Sequence, residues 1–232
     1  MLNTPLAREK SNRRRFLGFA IATAAIVPLS QAAIARDKSV TKVSSDAEKN
    51  ARNQKTIQTA EALRELWLGH IFWVRNVAIA TIDKNDLAAK VAEQQAVANA
   101  KAIAASIEPF YGAPAKESFF KLLAGHYGAV KAYLAATVAS DALAQGRATQ
   151  MITANAEEIA VFLSKANPYL PKDAVNALLL AHGSHHIQQI QQLKGRQYEA
   201  EAQTWEEMKN HVYQIADATA DALARQFAKK FS

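Results

Sequence analysis

Six histidines occur in a chain of 232 residues, and three of them share one helical turn. The stretch is Leu178-Leu179-Leu180-Ala181-His182-Gly183-Ser184-His185-His186-Ile187-Gln188-Gln189-Ile190. Imidazole is the commonest metal-binding side chain, and it is neutral or nearly so at physiological pH. His182 and His186 stand at i and i+4 on the apolar side of this run. That spacing puts both rings on one helix face, where they can chelate a single ion. His185 is off that stripe and is expected to face solvent. His70, His126 and His182 are evenly spaced along the chain. A second evenly spaced set, Asn99, Asn155 and His211, follows them at one constant offset.

The chain has no cysteine. Thiolate sites, disulfides and iron–sulfur clusters are therefore excluded, and a metal must be held by nitrogen and oxygen. Imidazoles without thiolates suit Zn, Cu, Ni or Fe. The expectation is a divalent transition-metal site built from His182 and His186 with one or more of His126, His70 and His211. Asn99, Asn155 and Glu158 stand behind them as supporting groups, although a solvated face is the simpler place for Glu158. If the site is enzymatic, it works through metal-bound water or a metal-polarised substrate, which needs an open coordination position. No catalytic residue is assigned. The rival reading is a metal-free helical module that binds a protein partner or a small ligand. In it each buried histidine pairs with its asparagine and only fixes helix register. Geometry separates the two: a metal site needs at least three imidazole nitrogens converging on one point, whereas a structural layer needs only His–Asn pairs. No Glu-x-x-His pattern supports a ferritin-like di-iron centre. No P-loop, GxGxxG or Ser-His-Asp order is present.

The elements that must carry these residues read as helices throughout. Half the residues are apolar, glycine and proline are sparse, and alanine dominates. Beyond residue 35, prolines occur only at Pro109, Pro114, Pro168 and Pro171, which cut the chain into three pieces of similar length. The pieces align without gaps at a period of 56. Ala60–His70 falls over Lys116–His126, and both fall over Lys172–His182. A period of this length fits one helical hairpin per repeat. The expectation is an all-α bundle of about six helices from three hairpins, 57–112, 113–168 and 169–230. Apolar residues recur at helical spacing on the first helix of each: Leu63, Trp67, His70, Val74; Phe119, Leu123, His126, Val130; Val175, Leu179, His182, His186. The second helices carry Val91, Ala98, Ile103; Met151, Ile152, Ile159; and Met208, Val212, Ile215. Turn signals fall at Asp83–Asp86, Ser140-Asp141 and Gly195-Arg196, each at or beside the midpoint between a histidine and its later partner. His70 then faces Asn99, His126 faces Asn155 and His182 faces His211. At about 1.5 Å per residue, each pair sits roughly 20 Å from its turn. Packed around one axis, the three pairs form a single polar layer. Spacing alone leaves open a stack of hairpins in place of a closed bundle.

Residues 1–35 read as an export signal. Asn12-Arg13-Arg14-Arg15-Phe16-Leu17 matches the twin-arginine pattern, an apolar run follows from Gly18 to Leu29, and Ala33-Ile34-Ala35 offers a cleavage site. The run is too short to span a bilayer and contains Pro28. The expected destination is the periplasm, with no stable membrane span after processing. Twin-arginine export carries folded proteins, which suits a metal loaded beforehand in the cytoplasm. Residues 36–56 are charged and polar, and are expected to form a flexible tail before a single domain, 57–232. The net charge of +7 falls to +3 once residues 1–35 are removed, from 23 basic and 20 acidic residues. No dense basic stripe remains, so nucleic acid is not an expected partner. The oligomeric state is not encoded in these patterns.

His182-Gly183-Ser184-His185-His186-Ile187-Gln188-Gln189, ending at Leu193-Lys194-Gly195, resembles the metal-binding helix of the DinB-like four-helix-bundle superfamily, which reads His-x-x-x-His-x-x-Gln. The resemblance is confined to this one stretch and departs at Ile187-Gln188, where an Arg-Gly is usual. It implies a three-histidine divalent metal site with His126 as the third ligand, in the manner of that superfamily's hydrolases and thiol-dependent transferases. Separately, Leu66-Trp67-x-x-His70-x-x-Trp73-x-Arg75, Asn155-Ala156-Glu157-Glu158-Ile159-Ala160 and Asn167-Pro168-Tyr169 are similar to a group of uncharacterised exported bacterial helical proteins, which implies no activity.

Overall fold

The computed structural model describes residues 29–232, with side chains from Glu48 onward. Residues 1–28 hold the twin-arginine motif and nearly all of the apolar run, so that part of the expected export signal lies outside the described residues; the expected cleavage site, Ala33-Ile34-Ala35, falls in the helix that begins at Leu29. The chain divides into two units, Met1–Ser44 and Ser45–Ser232. The architecture that follows is that of the second.

Among the described residues there are eight helical segments and no strand. Six are long: α1 (Leu29–Ile82), α2 (Asp86–Ser106), α4 (Ala113–Ala139), α5 (Ala142–Ala166), α6 (Lys172–Lys194) and α7 (Tyr198–Gln226). Two are single turns, α3 (Glu108–Tyr111) and α8 (Ala228–Phe231). The stretch 36–56, expected as a tail, is helical within α1. No described helix is long and apolar enough to cross a membrane.

The hairpin turns are near copies of one another. Lys84, Ser140 and Arg196 take left-handed backbone at φ 57°, 57° and 56°. After each, the next amide reaches back to close the helix: Asn85 N to Ala80 O at 2.8 Å, Asp141 N to Ala136 O at 2.9 Å, Gln197 N to Gln192 O at 2.8 Å. This is the six-to-one bond of a Schellman end, usually built with glycine at the left-handed position. Asn85 and Asp141 then cap α2 and α5, accepting from the amides of Ala88 and Ala144. Gly112 at φ 82° and Pro114 start α4, and Pro171 precedes α6, so the breaks between hairpins also fall where the prolines put them.

The first helices of the hairpins, α1, α4 and α6, meet at the centre, since His70, His126 and His182 lie ring to ring. The second helices fill the grooves between them. Lys131 of α4 pairs with Glu93 of α2, α5 packs on both α4 and α6, and α7 packs on α6. The ring closes between α7 and α1. Arg75 grips Glu201 through two bonds of 2.6 and 2.7 Å, and Arg64 grips Asp217 through bonds of 2.7 and 2.5 Å. The bundle is therefore closed, not an open stack. The stripes expected on α1, α4 and α6 are all inside. On α2 and α5 the expected stripe is partly out of register: Val91, Ala98 and Met151 face solvent, while Ala92, Ala96, Ala100 and Ala148 face in. Alanine is apolar enough for either side, so these helices turn by how closely they can approach their neighbours. Side-chain size sets the register here.

Candidate metal centre

The histidine layer divides the interior in two. On the side away from the hairpin turns, Leu63, Trp67, Ile103, Leu123, Ile159, Leu179 and Ile215 belong to one apolar cluster. On the turn side, Val74, Val77, Val130, Tyr133, Ile152 and Ile190 belong to another. Between them lie His70, His126, His182 and His186, all buried, each offering one ring nitrogen within 4.8 Å of the other three.

Backbone packing sets this level. Asn99 Nδ2 donates to Leu66 O at 2.9 Å, one turn before His70. Asn155 Nδ2 donates to Leu122 O at 3.1 Å, one turn before His126. His211 Nε2 lies 2.8 Å from Leu178 O, one turn before His182. All three bonds span the same sequence separation, and they recur at the hairpin period. The expected partners are thus level with the histidines, but they hold the neighbouring helix backbone and not the rings. Asn99 can come this close because residue 69 is glycine: a Cβ there would meet Asn99 Nδ2 at 2.8 Å. Gly125 stands likewise before Asn155, at 3.2 Å. In the third hairpin the corresponding residue is Ala181.

His211 is set apart from the four. A carbonyl oxygen only accepts, so His211 Nε2 carries its proton toward Leu178 O; Nδ1 keeps the lone pair, but His211 is not among the four residues whose ring nitrogens gather. Its ring lies 5.3 Å from that of His185, at the outer side of the layer. His185 is half-buried, not fully exposed as expected, and remains outside the four. Glu158 is exposed and does not reach the layer. Its neighbour Glu157 pairs with Lys172 at the surface.

The four rings do not satisfy one another. His182 Nε2 lies 3.4 Å from His70 Nε2 and 3.1 Å from His186 Nε2. A ring nitrogen holds either one proton or one lone pair, so only one of these contacts is a full hydrogen bond. His126 Nε2 and His182 Nδ1 are buried with no hydrogen-bond partner among the described residues. Burial also keeps the rings uncharged. It lowers the His70 pKa to about 3, helped by the charge His126 would carry. It lowers that of His126 to about 4, and Asn155 opposes part of the shift although its Oδ1 makes no hydrogen bond of normal geometry. His182 and His186 are pushed well below the usual range by burial first and then by their neighbouring imidazoles. Neutral rings are the form that binds a metal.

The spacing also fits an ion. Nitrogens held 2.0–2.1 Å from a tetrahedral centre stand about 3.3 Å apart. Two contacts within the group, 3.1 and 3.4 Å, bracket that value, and all four nitrogens lie within 4.8 Å of one another. Trp67 sets the edge of the layer, edge-on to both His70 and His182 at 5.8 and 5.9 Å.

A second buried polar group lies one turn nearer the hairpin turns, and local spacing did not mark it. Glu201 is 2% exposed, takes both Arg75 bonds, and accepts from Gln189 Nε2 at 2.8 Å. Arg75 also stacks over Trp205. Gln189 follows His186 by one helical turn, and Arg75 lies just beyond one turn after His70. Glu201 and Arg75 are 126 residues apart in the chain, so no periodicity joins them. Gln189 and Arg75 stood in the sequence only as positions within the two family resemblances, and nothing marked Glu201.

Compared with models of protein families, with curated proteins and with solved structures, the chain matches none.

Proposed function

We propose that this protein binds one divalent transition-metal ion through His70, His126, His182 and His186, and that the periplasm is where it works. The gathering of four buried ring nitrogens within 4.8 Å of one another carries the reading. The metal-free alternative needs His–Asn ring pairs. Asn99 and Asn155 instead donate to backbone carbonyls, and two ring nitrogens stay unpartnered. An all-imidazole set suits Zn, Cu, Ni or Fe. His126, His182 and His186 are also the three ligands that the DinB-like resemblance implies. Four imidazoles complete a tetrahedral Zn site, whereas an ion that takes five or six ligands keeps positions free to polarise water or a substrate. That is how a hydrolase- or transferase-like reaction would run here. The export reading rests on the twin-arginine motif at Arg13-Arg14, and the folded passage it entails suits a metal loaded before transport.

Elemental analysis of the tag-free protein, recovered from the periplasm, tests both parts. The expected result is close to one metal per chain in the wild type and none in His182→Ala/His186→Ala. Absence of metal from both, with no rise in melting temperature on adding Zn, Cu, Ni or Fe, would overturn the reading.

A further inference from the structure

A largely apolar cavity of about 50 Å³ abuts the histidine layer on the side away from the hairpin turns. His70, His126 and His182 form its floor, and Leu63, Leu123, Ile159, Leu179 and Ile215 are among its walls. Two hydroxyls border it, and both are already committed: Ser106 donates to Ile103 O at 2.7 Å and Thr219 to Ile215 O at 2.8 Å. Both hydroxyl protons are thus taken, and the remaining polar lining is the two hydroxyl oxygens, the Trp67 indole and the imidazoles of the floor. Away from the floor the walls are largely apolar, and a buried water there would lack the two to four polar partners it needs. A charged or strongly hydrogen-bonding guest would lose its hydration without replacement.

Size narrows the class further. An apolar protein cavity of about 150 Å³ holds benzene or xenon, so one of a third that volume has room for about two non-hydrogen atoms. We propose that this chamber takes a dissolved, uncharged diatomic molecule of the dioxygen or nitric oxide kind and holds it against the metal bound by the four histidines. The inference rests on the metal reading above. It adds that the ion keeps at least one coordination position open, and that this position faces the cavity floor. His186 does not border the cavity, so it anchors the ion from the far side.

Two measurements test it. Xenon is applied under pressure to the metal-free, ¹⁵N-labelled protein, and the Trp67 indole signal is followed. A saturable shift is expected, lost in Leu179→Phe and Ile159→Phe, either of which fills the cavity. The folded variant with the higher melting temperature is used. Nitric oxide is then titrated anaerobically into Fe(II)-loaded protein and followed by absorption. The filled variant should keep its full iron content and bind nitric oxide at least tenfold more weakly. No saturable xenon shift in the folded wild type overturns the chamber. Full iron loading with nitric oxide binding indifferent to the filled cavity overturns the role of the chamber and leaves the metal reading intact. Failure to load iron or any other metal overturns the metal reading instead, and this inference with it.

Discussion

Two buried polar groups lie one turn apart with α1 and α6 in common, and their hydrogen bonding differs completely. In the Arg75–Glu201–Gln189 group no buried side-chain nitrogen or oxygen is left without a partner, the carboxylate is gripped by two guanidinium bonds, and opposite charges sit together. In the histidine group four like rings crowd together, one contact cannot be a full bond, and two nitrogens go unpartnered. A satisfied cluster holds a fold together and needs nothing more. An unsatisfied one costs stability until a ligand arrives. The contrast suits a structural role for the first group and the proposed binding role for the second.

The contrast is broken most sharply at Arg75. Arg75→Ala strands the Glu201 carboxylate in the interior, and the expected loss is about 3–5 kcal/mol in urea denaturation, with metal content unchanged. A variant that kept its stability and lost its metal would show that the two groups are one system. The converse test adds metal. At free metal a thousandfold above Kd, the wild type should gain about 4 kcal/mol and His182→Ala/His186→Ala none. Equal gains in the two proteins would place the ion elsewhere.

Acidity sharpens the comparison next. The unfolded chain protonates its histidines near the ordinary value of 6.5, whereas the folded, metal-free protein resists until about 4 for His126 and about 3 for His70. Between those limits the unfolded state binds more protons. Stability is therefore full above 6.5 and drains away as pH falls, by about 1.4 kcal/mol per pH unit for each buried histidine. Denaturation at pH 7.5, 6 and 5 in chelator reads this directly, and a flat profile would mean that the rings are not buried neutral. The smallest effect lies far from both groups. Ser140 is exposed and left-handed, so Ser140→Gly should raise stability by a few tenths to about 1 kcal/mol while leaving metal binding alone. A loss there would show that the αα turn is not strained by its side chain.

Much of this arrangement was legible in the residues alone, for a physical reason. The helical period is enforced wherever large side chains alternate with polar ones, so Leu63, Trp67, His70 and Val74 announced their face. Proline and the turn residues announced the ends. The even spacing then put His70, His126 and His182 at one level, and His186 followed from i and i+4. Less legible was what each side chain would touch. Asn99 and Asn155 were expected on the rings, but a helix carbonyl has a second lone pair and was nearer. His211 looked like a ligand by column and is occupied by Leu178 O. Val91 and Met151 looked internal, but in alanine-rich helices hydrophobicity does not choose the face. Glu201 was invisible because its partner is supplied by a helix at the opposite end of the chain.

The meeting of α7 with α1 has a consequence for the order of events during synthesis. The hairpins fold from neighbours in sequence, which is fast. The bundle, however, is sealed by contacts between Arg64 and Arg75 and partners 153 and 126 residues downstream. While the ribosome is still making α7, His70, His126, His182 and His186 already exist as polypeptide, but the barrel of helices around them is open along one seam. An ion would have its easiest passage inward during that interval. Once α7 docks, entry and departure both require the seam to part. The last helix thus acts as a clasp, and the lifetime of whatever it encloses becomes a property of how often the clasp opens.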